Sequence, residues 1–220
     1  MASTLESFSD VSVDPPVSGF IHRPTVANGD GLVLTHGAGS NSHSPLLMTL
    51  AEGFAAVGFT VLRCDLPFRQ LRPDGPPRPG DAIRDRNGLK NAVAALRKQI
   101  SGGVFLGGHS YGGRQATMLA ADEPQLGDGL LLLSYPLHPP RKPLQLRTQH
   151  LPNLQTPAMF VHGARDPFGS IKEMELALKL IPVKHLLIPV EGAGHDLGFK
   201  GKIRREDLPA RVVAAFQAFV

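Results

Sequence analysis

The chain has few of the side chains that several functional classes require. One cysteine, Cys64, stands in 220 residues. No intramolecular disulfide and no CxxC pair can form, and a reducing compartment is expected, which points to the cytoplasm. Tryptophan is absent and only two tyrosines occur, so a base-stacking platform would have few rings available. The balance of 23 Lys and Arg against 19 Asp and Glu is mildly basic, without a run of five like charges, and no nucleic-acid partner is expected. No apolar run approaches the roughly 20 residues that span a bilayer. The first ten residues have neither a basic n-region nor an apolar h-region, so no signal peptide is read. No HExxH and no GxxxxGK[ST] occurs, and Gly37-Ala38-Gly39 lacks the third glycine of a dinucleotide fingerprint. Neither a metal nor a nucleotide cofactor is expected.

What is present is ordinary globular composition, 42% hydrophobic and 19% charged, at a length that fits one domain over residues 1–220. Short apolar runs at Gly31–Thr35, Thr60–Cys64, Gly103–Gly107, Gly129–Ser134, Ala158–His162 and His185–Val190 are mostly continuous rather than alternating, the signature of strands buried on both faces. Amphipathic stretches lie between them. Ser44 and Pro45 open one, with Gly58 as its stop. Leu89, Ala92, Val93, Leu96 and Ile100 form a second stripe. Gly112 to Ala121 is a third helix, and Ser170-Ile171-Lys172-Glu173 is a capping box. Asp207 is expected to cap a last helix carrying Val212, Phe216 and Phe219. This alternation predicts βαβ units, hence an α/β fold with a mainly parallel central sheet and helices on both faces. Phe20–Arg23 is read as a strand at the sheet edge. Leu66–Asp81, with five prolines and two glycines, is read as a surface loop without secondary structure.

The chemistry concentrates around Gly108-His109-Ser110-Tyr111-Gly112, a G-x-S-x-G pattern that follows a buried-type strand and opens a helix. On such a turn glycines leave room for crowded backbone, and the hydroxyl projects at a helix N-terminus whose dipole favours negative charge. A serine becomes a nucleophile only when a base takes its proton and a third group holds the base. The loop after Ala158–His162 carries Asp166, and the glycine-rich loop after His185–Val190 carries His195. Ser, Asp and His thus follow three different strands and can converge at the C-terminal edge of a parallel sheet. Asp196 is a weaker competitor for the acid. The oxyanion donors are expected to be the Tyr111 N–H and the Ala38 N–H, with Gly37 as the alternative to Ala38. Arg114, four residues after Ser110, is expected to bind Asp65.

With LTHGAG, GGHSYGGR, VHGARDPFG and GAGHD in place across residues 32–196, the chain resembles the α/β-hydrolase superfamily in its small lidless branch near dienelactone hydrolases. The resemblance implies a Ser110–His195–Asp166 triad. Two departures accompany it. Dienelactone hydrolases proper use a cysteine where this chain has Ser110, and the oxyanion loop reads His-Gly-Ala-Gly rather than the His-Gly-Gly-Gly of many lipases and esterases. Only Tyr135–Gln155 lies where larger hydrolases insert a cap, enough for a loop and one helical turn near Leu144–His150. The site is therefore expected to be open.

Gly37, Arg69, Arg141 and Phe168 are the candidate substrate-loop residues. The loops 65–81, 135–150, 163–170 and 191–205 hold 11 of the 23 Lys and Arg residues against six acids. This predicts a locally positive catalytic face that favours a small anionic acyl substrate or an acidic partner surface. The expected function is a serine hydrolase of esters, thioesters or related acyl bonds. The alternative is a catalytically silent binding or interaction module on the same scaffold. Nothing in the sequence addresses oligomeric state.

Overall fold

The computed structural model describes residues 3–199 and 207–220. Eight strands form one sheet: β1 (Thr4–Asp10), β2 (Val17–Arg23), β3 (Gly31–Thr35), β4 (Thr60–Cys64), β5 (Val104–His109), β6 (Gly129–Leu133), β7 (Ala158–Gly163) and β8 (His185–Val190). Their spatial order is β1-β2-β4-β3-β5-β6-β7-β8. The strands from β4 to β8 pair in parallel, while β1–β2 and β2–β4 pair antiparallel. Between them run α1 (Pro45–Ala56), α2 (Pro67–Leu71), α3 (Asp81–Arg97), α4 (Tyr111–Asp122), α5 (Ile171–Leu178) and α6 (Leu208–Phe219).

The apolar runs of β3 to β7 are buried on both faces because each face carries helices, whereas β8, at the sheet edge, is largely exposed. On one face α1 and α6 close over Leu32, Leu34, Val61, Leu131 and Val161. There Phe216 meets Phe54 and Phe105 edge-on, with ring centroids 5.5 and 5.3 Å apart. On the other face α3, α4 and α5 cover Val33, Leu62, Leu106, Leu132 and Phe160. Cys64 lies inside this core, and burial pushes its thiol up to about 12, so it packs as a small hydrophobe.

The α/β fold with a mainly parallel sheet is as expected. Ser170 makes the full capping box with Glu173, its hydroxyl accepting from the Glu173 N–H at 3.3 Å. Four local expectations are corrected. The strand read at Phe20–Arg23 begins at Val17 and is not the edge, because β1 pairs outside it. β1 (TLESFSD) is polar and largely exposed, so it lacks an apolar signal. The stretch Leu66–Asp81 contains α2, started by Pro67 at its first helical position and held by the buried Phe68 and Arg69. No helical turn lies within Leu144–His150; the short 3₁₀ turn falls at Leu151–Asn153. Asp207 occupies the N-cap position of α6 but makes no cap hydrogen bond, pairing with Arg211 at 3.3 Å instead. Among the described residues no helix is long and apolar enough to cross a membrane.

Beneath β2 and β4 lies one buried polar pair. The Arg63 Nε–H donates to His22 Nε2 at 2.7 Å, and both residues are 1% exposed. A ring nitrogen that accepts from a guanidinium must be unprotonated. Burial first, and the Arg63 charge second, hold His22 down at about 4. An unfolded histidine titrates near 6.5, so between those values the unfolded chain binds the proton first and stability falls as pH falls. Urea titrations between pH 6.5 and 4 are expected to show this loss, at most about 1.4 kcal/mol per pH unit from this group. His22→Gln, which retains an acceptor and removes the titration, is expected to flatten the slope; an unchanged slope would contradict the assignment.

Candidate active site

Ser110 sits between β5 and α4 with φ 52° and ψ −116°, a backbone region that L-residues other than glycine rarely occupy. Its N–H donates to the Leu133 carbonyl at 2.8 Å, and the Ser110 carbonyl accepts the Arg114 N–H at 2.9 Å. The turn closes tightly enough to require glycine at positions 112 and 113. A Cβ on Gly112 would lie 2.5 Å from the His36 carbonyl oxygen, and one on Gly113 would lie 2.6 Å from the Gly108 carbonyl oxygen. The serine side chain thus stands at the C-terminal edge of the sheet, at the N-terminus of α4.

The three residues that follow different strands meet there. Ser110 Oγ lies 2.8 Å from His195 Nε2, and His195 Nδ1 lies 2.7 Å from Asp166 Oδ2. An ionised carboxylate only accepts, so the imidazole proton sits on Nδ1 and Nε2 is left to accept from the hydroxyl. The Asp166 carboxylate is fully buried, and its second oxygen accepts the Phe168 N–H at 2.9 Å. The Phe168 ring lies against the His195 ring with centroids 4.2 Å apart. Phe168, expected on a substrate loop, therefore holds the acid and packs the imidazole. His109 Nε2–H donates to the His195 carbonyl at 2.8 Å and fastens that loop to the turn that carries Ser110. Asp196 is not the partner of the ring; its Oδ1 accepts the Gly198 N–H of its own loop at 3.1 Å.

The loop after β3 borders the hydroxyl. A Cβ on Gly37 would lie 3.2 Å from Ser110 Cβ. Residues 37–40 form a turn closed by the Ser40 N–H on the Gly37 carbonyl at 3.1 Å. The Leu66 N–H donates to His36 Nε2 at 3.1 Å, so the His36 proton sits on Nδ1, which donates to the Gly37 carbonyl at 2.9 Å. Burial of this ring holds it below its ordinary value, in the neutral form that this arrangement needs. Among the described residues neither the Ala38 N–H nor the Tyr111 N–H has a protein acceptor.

The remaining expectations divide. Arg69 is 8% exposed, and its donors are engaged by backbone carbonyls, so it does not reach toward a substrate. Arg141 lies exposed on the turn at Pro139–Lys142 with φ 63° and takes no part in the hydrogen bonds that join the three site residues. Arg114 does not bind Asp65. That carboxylate accepts from the Ser42 N–H and hydroxyl, whereas Arg114 lies near Tyr135, Arg147 and His150. Lys200, Lys202, Arg204 and Arg205, counted in the basic loops, lie outside the described residues. Sequence reasoning missed Asp85, a fully buried acid in α3 that accepts the Tyr111 hydroxyl at 2.7 Å and the Phe68 N–H at 2.9 Å. Burial pushes its carboxyl upward. The signal was available, since Asp85 sits on the helical stripe of Leu89, Ala92 and Leu96.

This is an α/β hydrolase fold with a serine on the strand-to-helix turn. Residues 28–220 match the family described as alpha/beta hydrolase domain, and the chain belongs to that family; its class is hydrolase. Solved structures of similar fold include a dienelactone hydrolase from Anabaena variabilis, 21% identical over 100% of both chains with a TM-score of 0.78. A lidless α/β serine hydrolase from Xanthomonas campestris is 15% identical, with a TM-score of 0.74, over 100% of this chain and 96% of that one. Est1E from Butyrivibrio proteoclasticus is 14% identical, with a TM-score of 0.71, over 99% of this chain and 98% of that one.

Gly112→Ala tests the turn. The added methyl meets the His36 carbonyl oxygen at 2.5 Å and Thr35 Cγ2 at 2.6 Å, and the His36 backbone cannot retreat without moving its loop. The variant is expected to lose about 1–3 kcal/mol by the overpacking rule, read as a drop of roughly 2–12 °C in thermal midpoint at this chain length. A midpoint within 2 °C of wild type would show that the turn has slack.

Proposed function

We propose that the chain is a serine hydrolase that cleaves a small ester, thioester or related acyl bond through an acyl-enzyme on Ser110. The observation that carries this reading is the continuous hydrogen-bonded run from Ser110 Oγ through both His195 nitrogens to Asp166, at 2.8 and 2.7 Å. In the first half-reaction Ser110 Oγ attacks the substrate carbonyl while His195 Nε2 takes the hydroxyl proton. Asp166 holds the ring and stabilises the imidazolium. The carbonyl π pair moves onto oxygen, and the N–H groups of Ala38 and Tyr111 receive that charge, aided by the N-terminus of α4. Collapse expels the alcohol or thiol, which takes the proton from His195. Water, deprotonated by the same nitrogen, then releases the acid and restores the serine.

Only a loop and a 3₁₀ turn lie between β6 and β7, so the acyl group would enter from an open face. The exposed Arg141, Lys142 and Arg165 on the loops after β6 and β7 support a preference for anionic acyl substrates.

A fluorophosphonate probe is expected to label the folded wild type and not Ser110→Ala. Asp166→Asn is expected to lower kcat on p-nitrophenyl acetate by about 10³- to 10⁴-fold, as loss of the orienting acid does elsewhere. A folded wild type that takes no label would favour the silent binding module. Rates on matched neutral and anionic esters at low salt are expected to favour the anionic member; equal rates would remove that preference.

A further inference from the structure

α2 is five residues long, too short to be stable by itself, yet its side chains reach both sides of the proposed oxyanion hole. The Arg69 guanidinium uses all five of its N–H groups on backbone carbonyls. Nε donates to Ser40 at 2.9 Å, and Nη2 donates to Ala38 at 2.8 Å and Gly75 at 2.9 Å. Nη1 donates to Arg72 and Pro73. Among the described residues no carboxylate lies within ion-pair distance of it. A guanidinium buried without a counter-ion is costly unless dipoles replace the water it has lost, and here five carbonyl dipoles from two loops do so. The result is a crosslink between the turn at residues 37–40 and the exit of α2.

The carbonyls chosen matter. Ala38 C=O and Ser40 C=O belong to the turn that presents the Ala38 N–H, and only the two backbone torsions of Ala38 separate its carbonyl from its amide. With the Gly37 carbonyl held by His36 and the next carbonyl held by Arg69, the direction of that N–H is determined from both sides. The opposite side of α2 reaches the second donor. The Phe68 ring meets Tyr111 edge-on at 5.8 Å, and the Phe68 N–H shares Asp85 with the Tyr111 hydroxyl.

We propose that Arg69 is a positioning residue and that α2 is the strut that sets the spacing of the oxyanion hole, anchoring the Ala38 turn through the Arg69 fork and the Tyr111 side through Phe68 and Asp85. The inference rests on the reading of Ser110 as nucleophile and of Ala38 and Tyr111 as donors. The electron pair that moves onto the substrate oxygen during attack meets correctly aimed N–H groups only while the strut holds. Misaiming acts on the transition state and leaves ground-state binding nearly unchanged. Lysine cannot substitute, because one ammonium with three donors cannot span five carbonyls in two loops.

The test uses the full chain with p-nitrophenyl acetate, active sites counted by the fluorophosphonate probe. Arg69→Lys is expected to lower kcat per active site by about 10- to 100-fold, the range expected for a misplaced catalytic group, while KM stays within about threefold. A trifluoromethyl ketone, which forms a tetrahedral adduct, is expected to weaken by a factor similar to the loss in kcat. Millimolar methylguanidinium is expected to restore part of the rate to Arg69→Ala and none to Ser110→Ala. If the Arg69 variants do not fold, Tyr111→Phe reads the strut from its other end, with the same loss in kcat at constant KM. Unimpaired kcat in folded Arg69→Lys, or in Tyr111→Phe, overturns the proposal, as does a loss confined to KM. A wild type that neither takes the probe nor turns over the ester overturns the nucleophile reading and this inference with it; a labelled wild type beside an unimpaired Arg69→Lys overturns this inference alone.

Discussion

Ser110 is held in a backbone conformation that costs on the order of 1–3 kcal/mol, and the centre of the molecule is arranged around that cost. β5, which delivers the residue, lies between β3 and β6 in the interior of the sheet, paired on both sides. The end of β6 receives the Ser110 N–H, and the first turn of α4 receives its carbonyl. The loop after β3 closes on the turn from a third side, near enough that Gly112 has no room for a methyl group against the His36 carbonyl. Strain of this kind persists only where its surroundings over-determine it. Parallel pairing supplies that condition, because the same edge that positions the turn also gathers the loops after β3, β7 and β8.

Behind that edge lies a layer of buried polar groups, and most of them hold backbone. Arg63 donates to the Ser42 carbonyl, His36 to Gly37, His162 to Gly169, and Arg69 to Ala38 and Ser40. His22, His36 and His162 are all held below their ordinary values, chiefly by burial; in the neutral form His22 accepts, His162 donates and His36 does both. Loops normally carry function at the expense of order. In this fold the loops at the site are anchored by side chains from neighbouring strands and helices, which spares the chain a cap domain to hold them.

The strands from β3 to β7 are legible in the sequence because burial on both faces leaves an apolar run that little else produces; β8 carries an apolar run too, although as an edge strand it is largely exposed. The Ser110, Asp166 and His195 loops are legible because each follows such a run and is marked by glycine. β1 is not legible, since an exposed antiparallel edge strand such as TLESFSD needs no apolar pattern. α2 is hidden for another reason. Its five residues are helical through tertiary contacts of Phe68 and Arg69, and prolines on both sides disguise it as a loop. Charge counting also misleads at Arg69 and Arg72. The first is saturated by carbonyls and the second pairs with Asp81, so neither adds a free charge to the open face. The direction in which an arginine points follows from its neighbours in space, which a composition count omits.

The two proposed oxyanion donors come from structures of unequal stiffness, and this explains why chemistry-bearing residues gather in a segment that contributes nothing to the triad. Tyr111 N–H opens a 12-residue helix packed on the sheet, so its direction comes with the helix and the proposed strut has only to set that end's distance from the Ala38 turn. Ala38 N–H lies in a four-residue turn with no regular element of its own. Such a turn keeps its aim only if its backbone groups are tied down, and beyond the Ser40 N–H on the Gly37 carbonyl the ties to this loop come from nearby side chains: His36 within the loop, and Arg63, Asp65 and Arg69 from β4 and the chain just after it. β4 is the parallel neighbour of β3, so its C-terminal end emerges beside the turn that needs support. An apolar brace in that place would leave the carbonyls of residues 37–42 unsatisfied, whereas guanidinium and imidazole donors satisfy them while fixing their direction. The placement of Arg63, Asp65 and Arg69 among apolar neighbours thus follows from the weaker half of the site.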